Sequence, residues 1–264
     1  MLSSQYLTRS DQPEQPVMVF LHGLLGSGAD WLDCAQWLQA YPCIGLDLPG
    51  HGGSRAVDCH SLDQAAEEVR DTLIKHQLAA RPLILAGYSL GARIAMHGVA
   101  SGLFAPLNIR LLAVEGGHFG LTCKQDQVLR WRQDCRWARR FRREPVDVVL
   151  TDWYQQPVFS SLNHAQKQSL IDYRSDNLGA SVAGMLLATS LARQAYLADA
   201  IKSQKVPVHY FYGEHDSKFS RMANDSRVPA TCIAHAGHNA HKEQPRAFAM
   251  ALRRQLDQHL EMTQ

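Results

Sequence analysis

Ser89, Asp216 and His238 are the residues whose types and placement fit them to do chemistry together. Ser89 stands in Gly87-Tyr88-Ser89-Leu90-Gly91, directly after the apolar run Leu83-Ile84-Leu85-Ala86 and directly before a helix-compatible stretch, 92–100. Strand, sharp turn and helix in that order lift a serine hydroxyl to the tip of a strained turn, where a base can reach it. Its neighbours two residues away on either side must lack bulk, and both are glycine. His238 follows Gly237 in a turn after the apolar run 228–234, and Asp216 follows the run 206–212. In such a trio the histidine accepts the serine proton, while the carboxylate holds the imidazole tautomer and stabilises its charged form. Asp199 and Asp225 offer the same carboxylate, but neither follows a strand-like run. His235, His238 and His241 recur at three-residue spacing. On a loop, with no His-Glu-x-x-His nearby, that spacing is no metal signature, so no metal is expected.

The elements that must hold these groups can be read from periodicity. The chain has 264 residues, 45% hydrophobic and 20% charged, enough for one large domain or a core with an insertion. Six strand-length apolar runs (17–21, 43–48, 83–88, 109–115, 206–212, 228–234) alternate with helical patterns at 31–40, 61–77, 92–100 and 245–260. This predicts an α/β fold with a mostly parallel, doubly wound sheet. Ser61 is expected to cap the helix it precedes. Pro49-Gly50-His51-Gly52-Gly53-Ser54 lacks the Lys-Ser/Thr of a phosphate loop and reads as a tight turn beneath the site. Residues 1–16 read as a polar leader, carrying Pro13 and Pro16, with one edge strand. From 121 to 200 the pattern is helical, broken at Pro145, Pro157 and Gly179. The expected organisation is a core of 1–120 and 201–264, with 121–200 inserted as a helical lid at the C-terminal ends of the strands.

Charge is uneven. The net value is +2, but 124–143 holds one lysine and seven arginines against Asp126 and Asp134, a local +6 that leaves −4 elsewhere. Val128, Trp131, Cys135 and Ala138 fall at helical spacing there, an expected apolar stripe that leaves most of the arginines to solvent. No nucleic-acid motif accompanies the run, so no nucleic-acid partner is expected. Six scattered cysteines without Cys-x-x-Cys spacing read as reduced thiols of a cytoplasmic protein. The polar start carries no signal core, and no apolar run is long enough to cross a bilayer.

The chain order Ser, Asp, His on such a turn is that of the α/β-hydrolase fold. In that fold the N–H of Leu24, in the His22-Gly23-Leu24 turn, and the N–H of Leu90 form an oxyanion hole. Arg93 lies one helical turn beyond Ser89 and is expected to point towards the same cavity or to pair with Glu115 or an aspartate; in so buried a helix it needs an anionic partner.

The fold alone names no reaction. Val114-Glu115-Gly116-Gly117-His118, Asp152-Trp153-Tyr154-Gln155-Gln156-Pro157-Val158-Phe159, Arg174-Ser175, Gly213-Glu214-His215-Asp216-Ser217-Lys218-Phe219 and Ala236-Gly237-His238-Asn239-Ala240-His241 occur together. From about residue 17 to its end the chain resembles the MenH family, the 2-succinyl-6-hydroxy-2,4-cyclohexadiene-1-carboxylate (SHCHC) synthases of menaquinone (vitamin K2) biosynthesis. The resemblance implies a lyase with no cofactor. Its triad removes a ring proton from 2-succinyl-5-enolpyruvyl-6-hydroxy-3-cyclohexene-1-carboxylate (SEPHCHC), and pyruvate is eliminated. Ser89, polarised by His238, is then the base. Arg93, Arg130 and Arg174 are implied as carboxylate-binding residues, suited to bidentate contacts, with Tyr88 and Trp153 lining the pocket. The implied partner is a small polyanion, met by a monomer without membrane insertion. Ala92 stands where the family often has glycine, and Phe119 where proline is frequent. The alternative is a serine hydrolase, a carboxylesterase or thioesterase acting on small anionic esters, which keeps the triad but does not need the arginines. A non-catalytic scaffold on the same fold would have little use for an intact trio.

Overall fold

In a computed structural model that describes residues 1–10 and 14–261, seven strands form one sheet: β1 (Ser4–Thr8), β2 (Val17–Leu21), β3 (Cys43–Leu46), β4 (Leu83–Tyr88), β5 (Ile109–Glu115), β6 (Val208–Gly213) and β7 (Ala230–Ile233). Their order is β1-β3-β2-β4-β5-β6-β7, with every pairing parallel except β1 against β3. The expected edge strand is thus residues 4–8; Pro13 and positions 262–264 lie outside the described residues.

The continuous apolar runs follow from burial on both faces. Val17, Val19, Leu21, Leu83 and Leu85 pack to one side of the sheet, and Met18, Phe20, Ile84 and Ala86 to the other. The first side is covered by α2 (Leu62–Lys75) and α3 (Leu90–Ala100), through Ala66, Val69, Leu73 and Ile94. Ser61 caps α2, its side chain accepting from Gln64 N–H at 3.0 Å. The second side is covered by α1 (Leu32–Ala35) and α11 (Pro245–Glu261), through Cys34, Ala35 and Leu252.

The helix expected over 31–40 is shorter. A 3-10 turn, Gly28–Trp31, leads into the single turn of α1. Trp31, Cys34, Ala35 and Leu38 keep helical spacing and are buried, but Pro42 sits at the threshold of β3, and the chain leaves the helix early to reach it.

The segment 121–200 is helical as expected: α4 (Lys124–Arg143), α5 (Val146–Trp153), α6 (His164–Arg174), α7 (Gly179–Ala188) and the start of α8 (Ala198–Lys202). Pro145 caps α5, Pro157 opens a 3-10 turn and Gly179 opens α7. These helices share a core of their own, with Ala138, Phe141, Leu150, Tyr154 and Val182, whereas Ala198 and Ile201 of α8 pack into the core of the sheet. The expected apolar stripe of α4 is displaced. Val128 and Trp131 are exposed, and the buried face carries Asp134, Ala138 and Phe141. The inward face follows Asp134, whose ion pair with Arg130 admits a charge to the interior that hydrophobicity alone excludes.

The remaining helices, α9 (Ser217–Ser226) and α10 (Ala240–Glu243), follow β6 and β7. Among the described residues, no helix is long and apolar enough to cross a membrane, and the six cysteines are free thiols.

Candidate active site

Ser89 joins β4 to α3 with φ 48° and ψ −102°, a strained conformation for a residue with a side chain. The flanking glycines are dictated by contact. A Cβ on Gly87 would lie 2.6 Å from Ala92 N, and one on Gly91 would lie 2.4 Å from the carbonyl oxygen of Leu21. The turn is tied down on both sides: Ser89 N–H donates to Glu115 O at 2.8 Å and Gly91 N–H to His22 O at 3.1 Å.

His238 and Asp216 meet as the sequence predicts. His238 Nδ1–H donates to Asp216 Oδ2 at 2.7 Å, and both residues are buried. The other carboxylate oxygen accepts Phe219 N–H at 3.3 Å, so the first turn of α9 orients the acid. Phe219 stacks on the His238 ring with centroids 4.6 Å apart. Gly116, at φ 56°, leaves room for that ring, because a Cβ there would come within 2.7 Å of His238 Cε1. Asp199 is exposed and paired with Lys202 at 2.9 Å, and Asp225 is exposed on α9. The three histidines at 235, 238 and 241 do not converge: His235 lies at the surface, and His241 pairs with Glu115 at 2.7 Å. Glu214, His215 and His235 are a group with ligand atoms within 4.8 Å of one another, exposed beside the triad.

Leu24 and Leu90 bring their N–H groups to the same end of the sheet, and among the described residues neither donates to an acceptor. Two buried histidines shape the Leu24 loop. His22 donates from Nδ1 to Gly23 O at 2.7 Å and accepts Leu48 N–H at 2.8 Å. His51 donates from Nδ1 to Pro49 O at 2.9 Å and accepts Leu25 N–H at 3.0 Å. Each ring therefore needs one bare nitrogen. Burial, the largest cause, pushes the pKa of both down, to about 3 for His51, where the neighbouring His22 adds to the effect.

Ser89 and His238 open on a cavity of about 600 Å³ whose walls include Leu24, Tyr88, Arg130, Trp153, Arg174 and Lys218. Burial first, and then the Glu115 carboxylate, hold the Tyr88 phenol well above its ordinary pKa, so it faces the cavity protonated. Arg174 reaches Tyr154 Oη at 2.9 Å and Asp30 Oδ2 at 3.2 Å. Burial opposes its charge, but Tyr154 and Asp30 more than offset that and keep it a cation. Arg130 is paired with Asp134 at 2.8 Å.

Arg93 is placed differently from the expectation. It is absent from the cavity walls and touches neither Glu115 nor an aspartate. Its guanidinium donates to the Thr189 carbonyl and, at 2.6 Å, to Gln194 Oε1. Neutral acceptors satisfy its geometry without neutralising its charge, and burial, then Arg130, pull its pKa down to about 9. Lys218 is a further cavity residue, one that the sequence does not single out. Burial and Arg130 lower its pKa as well, and no carboxylate pairs with it among the described residues. The cues in the sequence are its place two residues after Asp216, on the first turn of a helix that starts at the site, and its membership of the 213–219 motif that carries the family resemblance.

Fold and site together have the form of an α/β-hydrolase, and the model of the Alpha/beta hydrolase family matches residues 18–251. The 2-succinyl-6-hydroxy-2,4-cyclohexadiene-1-carboxylate synthase of Yersinia enterocolitica is 44% identical over 234 residues, 89% of this chain and 84% of that protein. The synthase of the same name from Serratia proteamaculans is 42% identical over 253 residues, 96% of this chain and 97% of that one. The chain therefore belongs to the alpha/beta hydrolase family and, within it, to the family of these synthases. Among solved structures, MenH from S. aureus superposes with a TM-score of 0.87 at 24% identity, covering 97% of this chain and 98% of that one. A thermophilic esterase from Thermogutta terrifontis superposes at 0.79 with 19% identity, covering 98% and 93%. At these identities the two structures share the fold.

Proposed function

We propose that this protein is a carbon–oxygen lyase that eliminates pyruvate from SEPHCHC to give SHCHC in menaquinone biosynthesis, with Ser89, His238 and Asp216 as its catalytic residues. The observation that carries the reading is the positive field beside Ser89 and His238. Arg130 lowers the pKa of both Arg93 and Lys218, and all three cations press on His118, whose pKa falls to about 3 through burial first and then Lys218, Arg93 and Arg130. A buried field of that sign calls for an anion, and a substrate with three carboxylates supplies it.

His238 draws the proton of Ser89, and the serine oxygen removes a proton from the substrate ring. The electron pair of the C2–H bond, alpha to the succinyl carbonyl, forms the C2=C3 double bond, and the C3=C4 pair shifts to C4=C5 as the C5–O bond to the enolpyruvyl group breaks. The departing enolate takes up a proton and becomes pyruvate. The N–H groups of Leu24 and Leu90 are the donors for charge that develops on the succinyl carbonyl. Arg130, Arg174 and Lys218 hold carboxylates from the cavity wall, and Arg93 strengthens the field from behind it. Tyr88 and Trp153 shape the pocket. The segment 121–200 closes it as a lid and keeps water from the reacting centre. In this reading the protein acts in the cytoplasm as a monomer on a small polyanion.

The test is pyruvate release from SEPHCHC made in situ, measured against the spontaneous loss, for the wild type and Ser89→Ala. Release well above background is expected, with a fall of roughly 10³-fold or more in Ser89→Ala. If the wild type gave no acceleration and instead cleaved a p-nitrophenyl ester, the protein would be a hydrolase.

A further inference from the structure

Glu115 is the last residue of β5, is 1% exposed, and takes no direct part in the proton transfer or elimination described above. It nevertheless connects the two segments on which that chemistry depends. Its backbone carbonyl accepts the N–H of Ser89 at 2.8 Å. Its carboxylate accepts the backbone N–H of His241 at 3.0 Å and the Nδ1–H of the same residue at 2.7 Å. His241 lies three residues beyond His238, and its ring is stacked on Trp31 with centroids 3.8 Å apart. Tyr88 packs against both imidazoles, 5.2 Å from His238 and 5.0 Å from His241.

This arrangement is a poor way to gain stability. The carboxylate is removed from water, and His241 Nε2 is left buried without a hydrogen-bond partner. An apolar pair of similar volume is often as stable or more so. What an apolar pair lacks is direction: two hydrogen bonds to one carboxylate specify where the 238–241 segment lies relative to the Ser89 turn. Asp216 restrains the His238 ring from the α9 side, and Glu115 restrains the backbone of the same segment from the sheet side.

We infer that Glu115 is a positioning residue that, through His241, sets the separation and orientation of His238 relative to Ser89. The inference rests on the reading of Ser89 and His238 as the catalytic pair.

Its test measures two rates on the full chain, steady-state pyruvate release and phosphonylation of Ser89 by a neutral serine-directed reagent, in the wild type, Ser89→Ala, Glu115→Ala and Glu115→Gln. Misplacing a reacting group by about 1 Å costs on the order of 10²-fold. Glu115→Ala, shown by circular dichroism to be folded, is therefore expected to lose about 100-fold in both kcat and phosphonylation rate, with KM within about 2-fold. Glu115→Gln keeps an acceptor for His241 N–H and is expected to recover about 10-fold of that loss. Both rates within about 3-fold of wild type in folded Glu115→Ala would overturn the inference. If Glu115→Ala does not fold, Glu115→Gln decides: a fall of about 5-fold or more in both rates at unchanged Tm supports positioning, and wild-type rates at a lowered Tm overturn it. A wild type inert to the reagent, or a Ser89→Ala variant that still turns over, would overturn the catalytic pair itself and the inference with it. Those results are read without reference to Glu115.

Discussion

Arg174 has a structural duty beside the binding role proposed for it. It faces the cavity, yet it is also the only cation paired with Asp30 among the described residues, and Asp30 is 3% exposed. Arg174 and then His22 hold the Asp30 carboxyl below its ordinary pKa against the cost of burial, which is the largest effect and acts the other way. Removing one partner of a buried pair strands the other charge, which typically costs about 3–5 kcal/mol. Arg174→Ala is therefore expected to lose that much stability in urea unfolding, and far less in an Asp30→Asn background; equal losses in both backgrounds would show that the pair is not coupled. Lys218 has no such structural partner, so its removal should act on binding. A charge-assisted hydrogen bond is worth about 1.5–3 kcal/mol, so Lys218→Gln should raise KM for the polyanionic substrate by about 10-fold or more. Phosphonylation of Ser89 by a neutral reagent should change little. Parallel losses in both assays would point to a disturbed triad instead.

Two short turns decide whether the triad is presented at all. At the elbow, the Cβ of Gly91→Ala would meet the carbonyl oxygens of Leu21 and His22 at 2.4 and 2.6 Å, backbone atoms held by β2. Overpacking of this kind costs about 1–3 kcal/mol, and the displaced serine should lose on the order of 10²-fold in kcat. Thermal melts and single-turnover rates would check both. At the Leu24 loop, His51 must stay neutral to accept Leu25 N–H. In the unfolded chain its imidazole titrates at the ordinary 6.5, whereas in the fold it does so at about 3. Below pH 6.5 the unfolded state therefore binds protons that the folded state does not. The His51 contribution to stability is complete above that pH and declines as pH falls towards 3. His22 and His118, whose pKa values are also lowered, steepen the same acid limb. His51→Gln, which can still donate and accept, should flatten the decline between pH 6 and 4 in a series of thermal melts. An unaltered acid limb would remove His51 as a cause.

At the scale of the molecule, positive charge is concentrated on α4. On α4, Arg132, Arg136, Arg139 and Arg143 are all exposed at helical spacing and have no ion-pair partner among the described residues, while Arg130 and Trp137 of the same helix line the cavity. Beside a cavity that takes the proposed polyanion, such a basic outer face raises the encounter rate, and salt screens it over about 10 Å. We expect kcat/KM for SEPHCHC to fall with ionic strength while kcat holds. Replacing the four outward arginines by glutamine should flatten that dependence and lower kcat/KM roughly 10-fold at low salt. A salt-independent kcat/KM in the wild type would remove any role for steering.

What the sequence determined by itself was whatever local pattern encodes. The strands showed as apolar runs because both faces of β2 and β4 are buried, and the elbow showed as two glycines because backbone atoms of Leu21 and Ala92 leave no room for a Cβ. The order of Ser89, Asp216 and His238 and the helical character of the 121–200 segment were legible for the same reason. Pairing was not legible. Arg93 finds Gln194 across 101 residues, Glu115 finds His241 across 126, and Arg174 finds Asp30 across 144. Many carboxylates and carbonyls are chemically equivalent candidates for each of these contacts, and periodicity does not rank them. The inward face of α4 departs from its apolar stripe for a related reason: hydrophobicity predicts burial only where no ion pair carries a charge such as Asp134 inward. Only the packed chain decides which polar groups lose water together, because desolvation and hydrogen bonding depend on the three-dimensional neighbourhood and not on spacing along the chain.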